Sequence, residues 1–289
     1  MPHERTLLVR RGGLGDTLLM APVLRALRRA HPGTVHVAGV HEFAVLLAHF
    51  GVADAAFSSE DVGTWLASGS PRFRDYDVVV ADDPRWLAAQ AHGPRVVPFD
   101  PRPGDRRPLP QQVGSQLGLC LQWPDDAALA TWTPPGGVAV VLAPGSGGRA
   151  KCWPRAHWLA LAQRLAAAAL PVEVLVGPVE TERDDPRQWP WSVPVGFVVE
   201  NDLRVVARRL GTARAFVGND SGTTHLAAML GLPTVALFGP SDAQVFGPTG
   251  PRVAIVPAPG NDLAMLAPPA VFAALASLDQ GSAACTRSQ

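Results

Sequence analysis

Three short loops hold the residues of this sequence best suited to chemistry. The first is Arg10-Arg11-Gly12-Gly13-Leu14-Gly15-Asp16. The second is Gly145-Ser146-Gly147-Gly148-Arg149-Ala150-Lys151-Cys152-Trp153-Pro154, and the third Gly218-Asn219-Asp220-Ser221-Gly222-Thr223-Thr224-His225. Lys151 is the only lysine among 25 Lys and Arg residues. In a chain whose codons have drifted toward Arg, a surviving Lys marks a place that needs a compact ammonium and not a planar fork. A Gly-rich turn after an apolar run, carrying one ammonium, reads as an anion site with phosphate the first ligand to consider. The plainer alternative is a solvated surface lysine.

The third loop follows an apolar run and opens a helical one. Backbone N–H groups of 221–225, the hydroxyls and the helix dipole together favour a diphosphate. Asp220 or Ser221 acting as N-cap would explain the hydroxyls, but not both glycines. In the first loop, Asp16 is either an N-cap or a general base at the carboxyl edge of a parallel sheet. This loop is not the dinucleotide fingerprint, because Leu18 stands where its third glycine belongs. A fourth turn, Phe238-Gly239-Pro240-Ser241-Asp242, closes a later strand at the same sheet edge as the third loop.

These loops need strands before them and helices after them, and the pattern supplies both. Apolar residues 6–9 form a strand, and 16–30 a helix with Leu18, Leu19, Val23, Leu24 and Leu27 on one side and Pro22 near its start. Residues 35–40 are the next strand, so the opening is a βαβ unit with a right-handed crossover. Helices follow at 43–50, 86–92 and 111–121, strands at 77–81 and 95–98, and a Pro-rich loop at 100–110. The stretch 123–137 reads as a linker. The rhythm then restarts, with strands at 138–142, 172–176, 215–217, 234–238 and 253–256. Its helices are 157–169, 203–210, 223–230 and 269–278, followed by a tail, 279–289, expected to be disordered. The fold class is therefore α/β. It comprises two Rossmann-like domains with parallel sheets, 1–130 and 131–278, facing each other across a cleft.

Composition agrees with a soluble globular protein. The chain has 289 residues, 47% hydrophobic and 17% charged, with zero formal net charge. That leaves ample core and argues against nucleic acid as a partner. Three cysteines without metal-type spacing fit a reducing compartment. No secretory leader or membrane span is evident, so a cytoplasmic location is expected, with peripheral contact at an inner membrane left open.

Four stretches resemble glycosyltransferase family 9, the ADP-heptose:lipopolysaccharide heptosyltransferases of GT-B fold. They are Arg10 to Asp16 with Pro22 and Leu27, the Gly145-Ser146…Lys151-x-Trp153-Pro154 loop, Asp220-Ser221-Gly222-Thr223-Thr224-His225, and Phe238-Gly239-Pro240-Ser241. The resemblance implies that Asp16 is the catalytic base, and that Arg10, Arg11, Gly13 and Gly15 form the acceptor-side loop. It implies that Lys151 neutralises the departing diphosphate of an ADP-sugar, held with Gly145, Ser146, Ser221, Gly222, Thr223 and Thr224. Asp220 would meet the transferred sugar, and Glu180 or Glu182 the nucleoside. His225 and Trp153 would support the loops. Thr223 departs from the family, which often has Pro or Leu there. The chain is also short in its first half, where the family binds the acceptor.

The activity implied is inverting transfer of a heptose or related sugar to a hydroxyl of a glycan, glycolipid or small molecule. No cofactor is expected: one ammonium and a helix N-terminus can carry the leaving-group charge, and no Asp-x-Asp pair offers itself to a divalent cation. Two other readings compete. A sugar-nucleotide 2-epimerase would need further carboxylates and histidines around the sugar, and a silent sugar-nucleotide binder would have no use for Asp16.

Overall fold

The computed structural model describes residues 4–83, 86–87, 93–102, 104–129 and 136–285, with side chains as far as residue 278. It divides into two compact units, Met1–Leu129 and Ala130–Gln289.

The first unit runs β1 (Glu4–Val9), α1 (Leu14–Leu18), α2 (Ala21–Ala30), β2 (Gly33–Gly39), α3 (His41–His49), β3 (Ala55–Ser58), α4 (Ser59–Ala67), α5 (Pro71–Arg74), β4 (Val78–Ala81), β5 (Arg95–Pro98) and α6 (Leu109–Gln116). Its five strands lie in the order β3-β2-β1-β4-β5, all parallel. The central strands are apolar because helices cover both faces of such a sheet. Leu8 pairs with Val37 on one side and Val80 on the other, and all three are buried.

Residues 16–30 do not form the one helix that the apolar spacing predicts. Pro22 lacks an N–H and sits within the first two residues of α2, where none is needed, so α1 ends and a second helix begins. The 123–137 stretch is not all linker either. Arg29 grips the buried Asp126 carboxylate with two hydrogen bonds of 2.8 and 2.6 Å, which fastens this part of the chain to α2. Residues 130–135 of that stretch lie outside the described residues, as does most of the helix expected at 86–92.

The second unit runs β6 (Val140–Ala143), α7 (Arg155–Ala167), β7 (Val172–Val176), α8 (Pro178–Arg183), β8 (Gly196–Val199), α9 (Leu203–Leu210), β9 (Ala215–Asn219), α10 (Gly222–Met229), β10 (Thr234–Phe238), α11 (Ala243–Phe246), β11 (Val253–Pro257) and α12 (Pro268–Cys285). Its six parallel strands are ordered β11-β10-β9-β6-β7-β8. β8 escapes a reading by buried runs because it is an edge strand with exposed Phe197 and Val199. α12 passes the expected end at residue 278 and continues to Cys285, since no Pro interrupts it, so the tail expected from 279 is helical that far. Residues 286–289 lie outside the described residues. Among the described residues, no helix is long and apolar enough to cross a membrane.

Each sheet reverses its strand order once, between β1 and β4 in the first unit and between β6 and β9 in the second. The crevice beyond the carboxyl ends at such a reversal is where open α/β sheets bind ligands. The Asp16 loop leaves β1, the Lys151 loop leaves β6 and the Asp220 loop leaves β9.

Candidate active site

In the second unit the two loops at the reversal are bolted together. Asn219, fully buried at the end of β9, accepts from the Trp153 N–H at 3.0 Å and donates to the Pro144 carbonyl at 2.6 Å. The Ser146 hydroxyl donates to the Asp220 carbonyl at 2.7 Å. Trp153 is buried and donates its indole N–H to the Leu266 carbonyl at 2.8 Å, with Trp158 packed edge-on against it. Buried polar groups that are all paired make a rigid frame. Its product is a single ion pair at the loop tips: Lys151 Nζ lies 2.7 Å from Asp220 Oδ2, the lysine 40% exposed and the aspartate 8%. An ammonium has three donors, so two remain for an incoming anion.

Behind this pair stands the N-terminus of α10. The Thr224 and His225 N–H groups return to the Ser221 carbonyl. The donors expected over 221–225 therefore shrink to those before Thr224. Gly222 and Thr223 begin the helix, where no intrahelical acceptor exists. The Ser221 hydroxyl touches those of Thr223 and Thr224 at 3.0 and 3.1 Å. Thr224 is fully buried and donates to the Asn219 carbonyl at 2.6 Å, so it braces the turn. Ser146, also buried, does the same for its own loop. Both read as donor contacts in the sequence, and the frame uses their hydroxyl protons instead. Gly218 must be glycine, since a Cβ would meet a Phe216 ring carbon at 2.6 Å and the Thr224 hydroxyl. His225 is buried in the first turns of α10.

A pocket of about 240 Å³ opens beside the lysine loop, lined by Gly145, Arg149, Trp153, Glu180, Arg183 and Trp189 among others. Glu180 Oε2 accepts from the Gly177 N–H at 2.8 Å, which fixes the side chain over Gly145. A Cβ at residue 145 would fall inside that carboxylate. Glu182 is exposed and does not line the pocket. Arg183 donates to the carbonyls of Ser146 and Gly147 at 3.2 and 3.1 Å and so buttresses the loop from outside. Burial pushes the thiol of Cys152 up, away from the thiolate form.

In the first unit Asp16 is not the N-cap. Gly13 holds that position, and Asp16 reaches back from the third helical residue, its Oδ2 accepting from the Gly13 N–H at 2.9 Å. Its other oxygen takes a 2.8 Å bond from Arg10, and the side chain remains 39% exposed. Gly12, at φ 156°, lets the chain pass close to this carboxylate, where a Cβ would meet Asp16 at 2.8 Å. Arg10 does not stand open to a ligand: it is buried and also binds Asp82 at 2.8 Å. Arg11 pairs with Asp83 but keeps half of its side chain exposed. Neither aspartate was singled out in the sequence. The available signal was an acidic doublet directly after the strand 78–81, at the edge shared with the Asp16 loop.

The glycosyltransferase family 9 (heptosyltransferase) signature matches residues 110–266. Lipopolysaccharide heptosyltransferase 1 of Escherichia coli O18:K1:H7 (strain RS218) is 32% identical over 121 residues, which is 42% of this chain and only 37% of the relative. Among solved structures, E. coli heptosyltransferase WaaC with ADP superposes with a TM-score of 0.72 at 20% identity, covering 95% of this chain and 99% of that one. A family 9 glycosyltransferase from Veillonella parvula reaches 0.76 at 18% identity, covering 96% and 98%. At such identities the likeness establishes a shared fold.

Proposed function

The chain belongs to glycosyltransferase family 9 (heptosyltransferase), and we propose that it transfers a heptose or a closely related sugar from an ADP-sugar to a hydroxyl of a glycan or glycolipid, inverting the anomeric centre without a metal. The observation that carries this reading is the Lys151–Asp220 pair, framed by buried hydrogen bonds in front of the α10 N-terminus.

In this reading the diphosphate sits against the Lys151 ammonium and the N–H groups of Gly222 and Thr223. When the sugar–oxygen bond breaks, its electron pair goes to the departing ADP, and those donors meet the new charge without having to reorganise. Asp220 then accepts a hydroxyl of the sugar, and Glu180, held over Gly145, accepts from the nucleoside. The acceptor oxygen attacks the anomeric carbon from the face opposite the diphosphate, and its proton passes to the Asp16 carboxylate. One base and one leaving-group clamp suffice for such a single displacement, so inversion follows. A glycolipid acceptor would bring a cytoplasmic enzyme to the inner-membrane surface.

Thermal unfolding with ADP-heptose, ADP and UDP-GlcNAc tests the donor. A ligand at ~100 times its dissociation constant adds roughly 2.7 kcal/mol to stability, and the ADP compounds should raise the melting temperature more than UDP-GlcNAc. Stronger stabilisation by UDP-GlcNAc would overturn the assignment in favour of an epimerase. Transfer from ADP-heptose to heptose-free lipopolysaccharide should persist in EDTA. Activity that disappears with chelator and returns with Mg²⁺ or Mn²⁺ would overturn metal independence.

A further inference from the structure

The buried charges under the Asp16 loop form a connected unit. Arg10 Nη2 binds Asp16 Oδ1 at 2.8 Å. Its Nη1 binds Asp82 Oδ2 at 2.8 Å and the Arg11 carbonyl at 2.6 Å. The same Asp82 oxygen accepts the Arg11 N–H at 3.2 Å. The Asp82 side chain is 6% exposed, and its Oδ1 is buried with no hydrogen-bond partner among the described residues. A buried carboxylate oxygen left unpaired is costly, and a fold retains one only against some compensation.

We propose that Asp82 is the positioning residue of Asp16, acting through Arg10. The buried Asp82 carboxylate holds one guanidinium nitrogen of Arg10, so the other nitrogen presents its bond to Asp16 from a fixed place and aims that carboxylate. The consequence for catalysis rests on the reading of Asp16 as the base; the anchoring of Arg10 does not.

Other charged groups near this unit have partners of their own or lie on other elements. Arg11 and Asp83 pair with each other. α3, which packs on α1, carries His41 and Glu42 in its first turn and His49 in its last. On α2, Arg28 and Arg29 turn to Asp54 and Asp126, and Arg25 to the Asp126 carbonyl. Among the described residues, Arg10 is the only ion partner of Asp16.

The test is steady-state transfer from ADP-heptose by the full chain, in the native protein, Asp82→Asn, Asp82→Glu and Asp16→Asn. Asp82→Asn should lower kcat by on the order of tenfold or more while KM for ADP-heptose is unchanged, because a misplaced base costs turnover and not donor binding. Asp82→Glu, which gives Arg10 a carboxylate again, should recover part of kcat, a rescue that a merely structural role would not predict. Native kcat in Asp82→Asn, or no recovery in Asp82→Glu, overturns the proposal. If Asp82→Asn does not fold, Arg10→Lys decides: it cannot bridge both carboxylates and should show the same fall in kcat at unchanged KM. Full transfer activity in Asp16→Asn would defeat the catalytic role of Asp16 itself, an outcome distinct from native kcat in Asp82→Asn alone.

Discussion

Gly145→Ala separates the packing of the donor pocket from its binding chemistry. The added methyl would occupy the space of the Glu180 carboxylate, which is pinned there by the 2.8 Å bond from the Gly177 N–H. Glu180 is the end of a flexible side chain, so the clash is relieved by rotation and not by backbone movement. Folding then loses about one hydrogen bond, on the order of 1 kcal/mol. That corresponds to a fall in melting temperature of roughly 2–4 °C for a domain of this size. ADP binding loses more. If the swung carboxylate no longer meets the nucleoside, one charge-assisted hydrogen bond of about 1.5–3 kcal/mol is gone, or roughly a 10- to 150-fold weaker dissociation constant. Isothermal titration with ADP should give this loss for Gly145→Ala and a similar one for Glu180→Ala. The double variant should be no worse than either, because both changes remove one interaction. Native ADP affinity in Gly145→Ala would refute the reasoning. So would a double variant whose loss is the product of the two single losses, for the methyl would then be acting on the nucleotide directly.

Lys151→Met should lower the transfer rate by the equivalent of about 2–4 kcal/mol, the usual worth of one transition-state donor. It should also destabilise the fold modestly, since Asp220 is left without its cation. Lys151→Arg, assayed in parallel, should recover part of the rate, and full recovery would defeat the case for a compact ammonium. Asp16→Asn should cut turnover roughly 10²–10⁴-fold while ADP affinity is unchanged, because the proposed donor residues all belong to the second unit. Near-native turnover with only a lower melting temperature would reduce Asp16 to a helix-end residue. Burial holds the His36 imidazole below its ordinary value, with Arg5 adding to the effect, beside a 2.8 Å bond to the Tyr76 hydroxyl. Its contribution to stability is therefore complete above the unfolded value of about 6.5 and is lost as pH falls from there through the lower folded value. Urea unfolding from pH 7.5 downward should show a decline in that window that His36→Gln flattens.

The elements and loops visible in the sequence are those whose signal runs along the chain. The apolar runs ending at Val9, Ala143 and Val217, each followed by a Gly-containing turn and a helix, announce parallel strands and their carboxyl-edge loops from the sequence alone. What the sequence could not show depends on partners far away. Arg10 and Asp82 are 72 residues apart, and nothing local says that the acid after one strand will answer the arginine after another. Asn219 reads as an ordinary loop polar residue until its two bonds are seen reaching 66 and 75 residues back to lock the lysine loop. Ser146 and Thr224 pose the converse difficulty. A hydroxyl in a phosphate-like loop has the same residue type whether it faces the ligand or the frame, and only burial distinguishes the two. Glu180 and Glu182 differ by two positions and by nothing in composition. One lies over a glycine that admits it to the pocket, and the other points to solvent. That is why a substitution at Gly145, a residue with no side chain, is the sharpest probe of which glutamate the site uses.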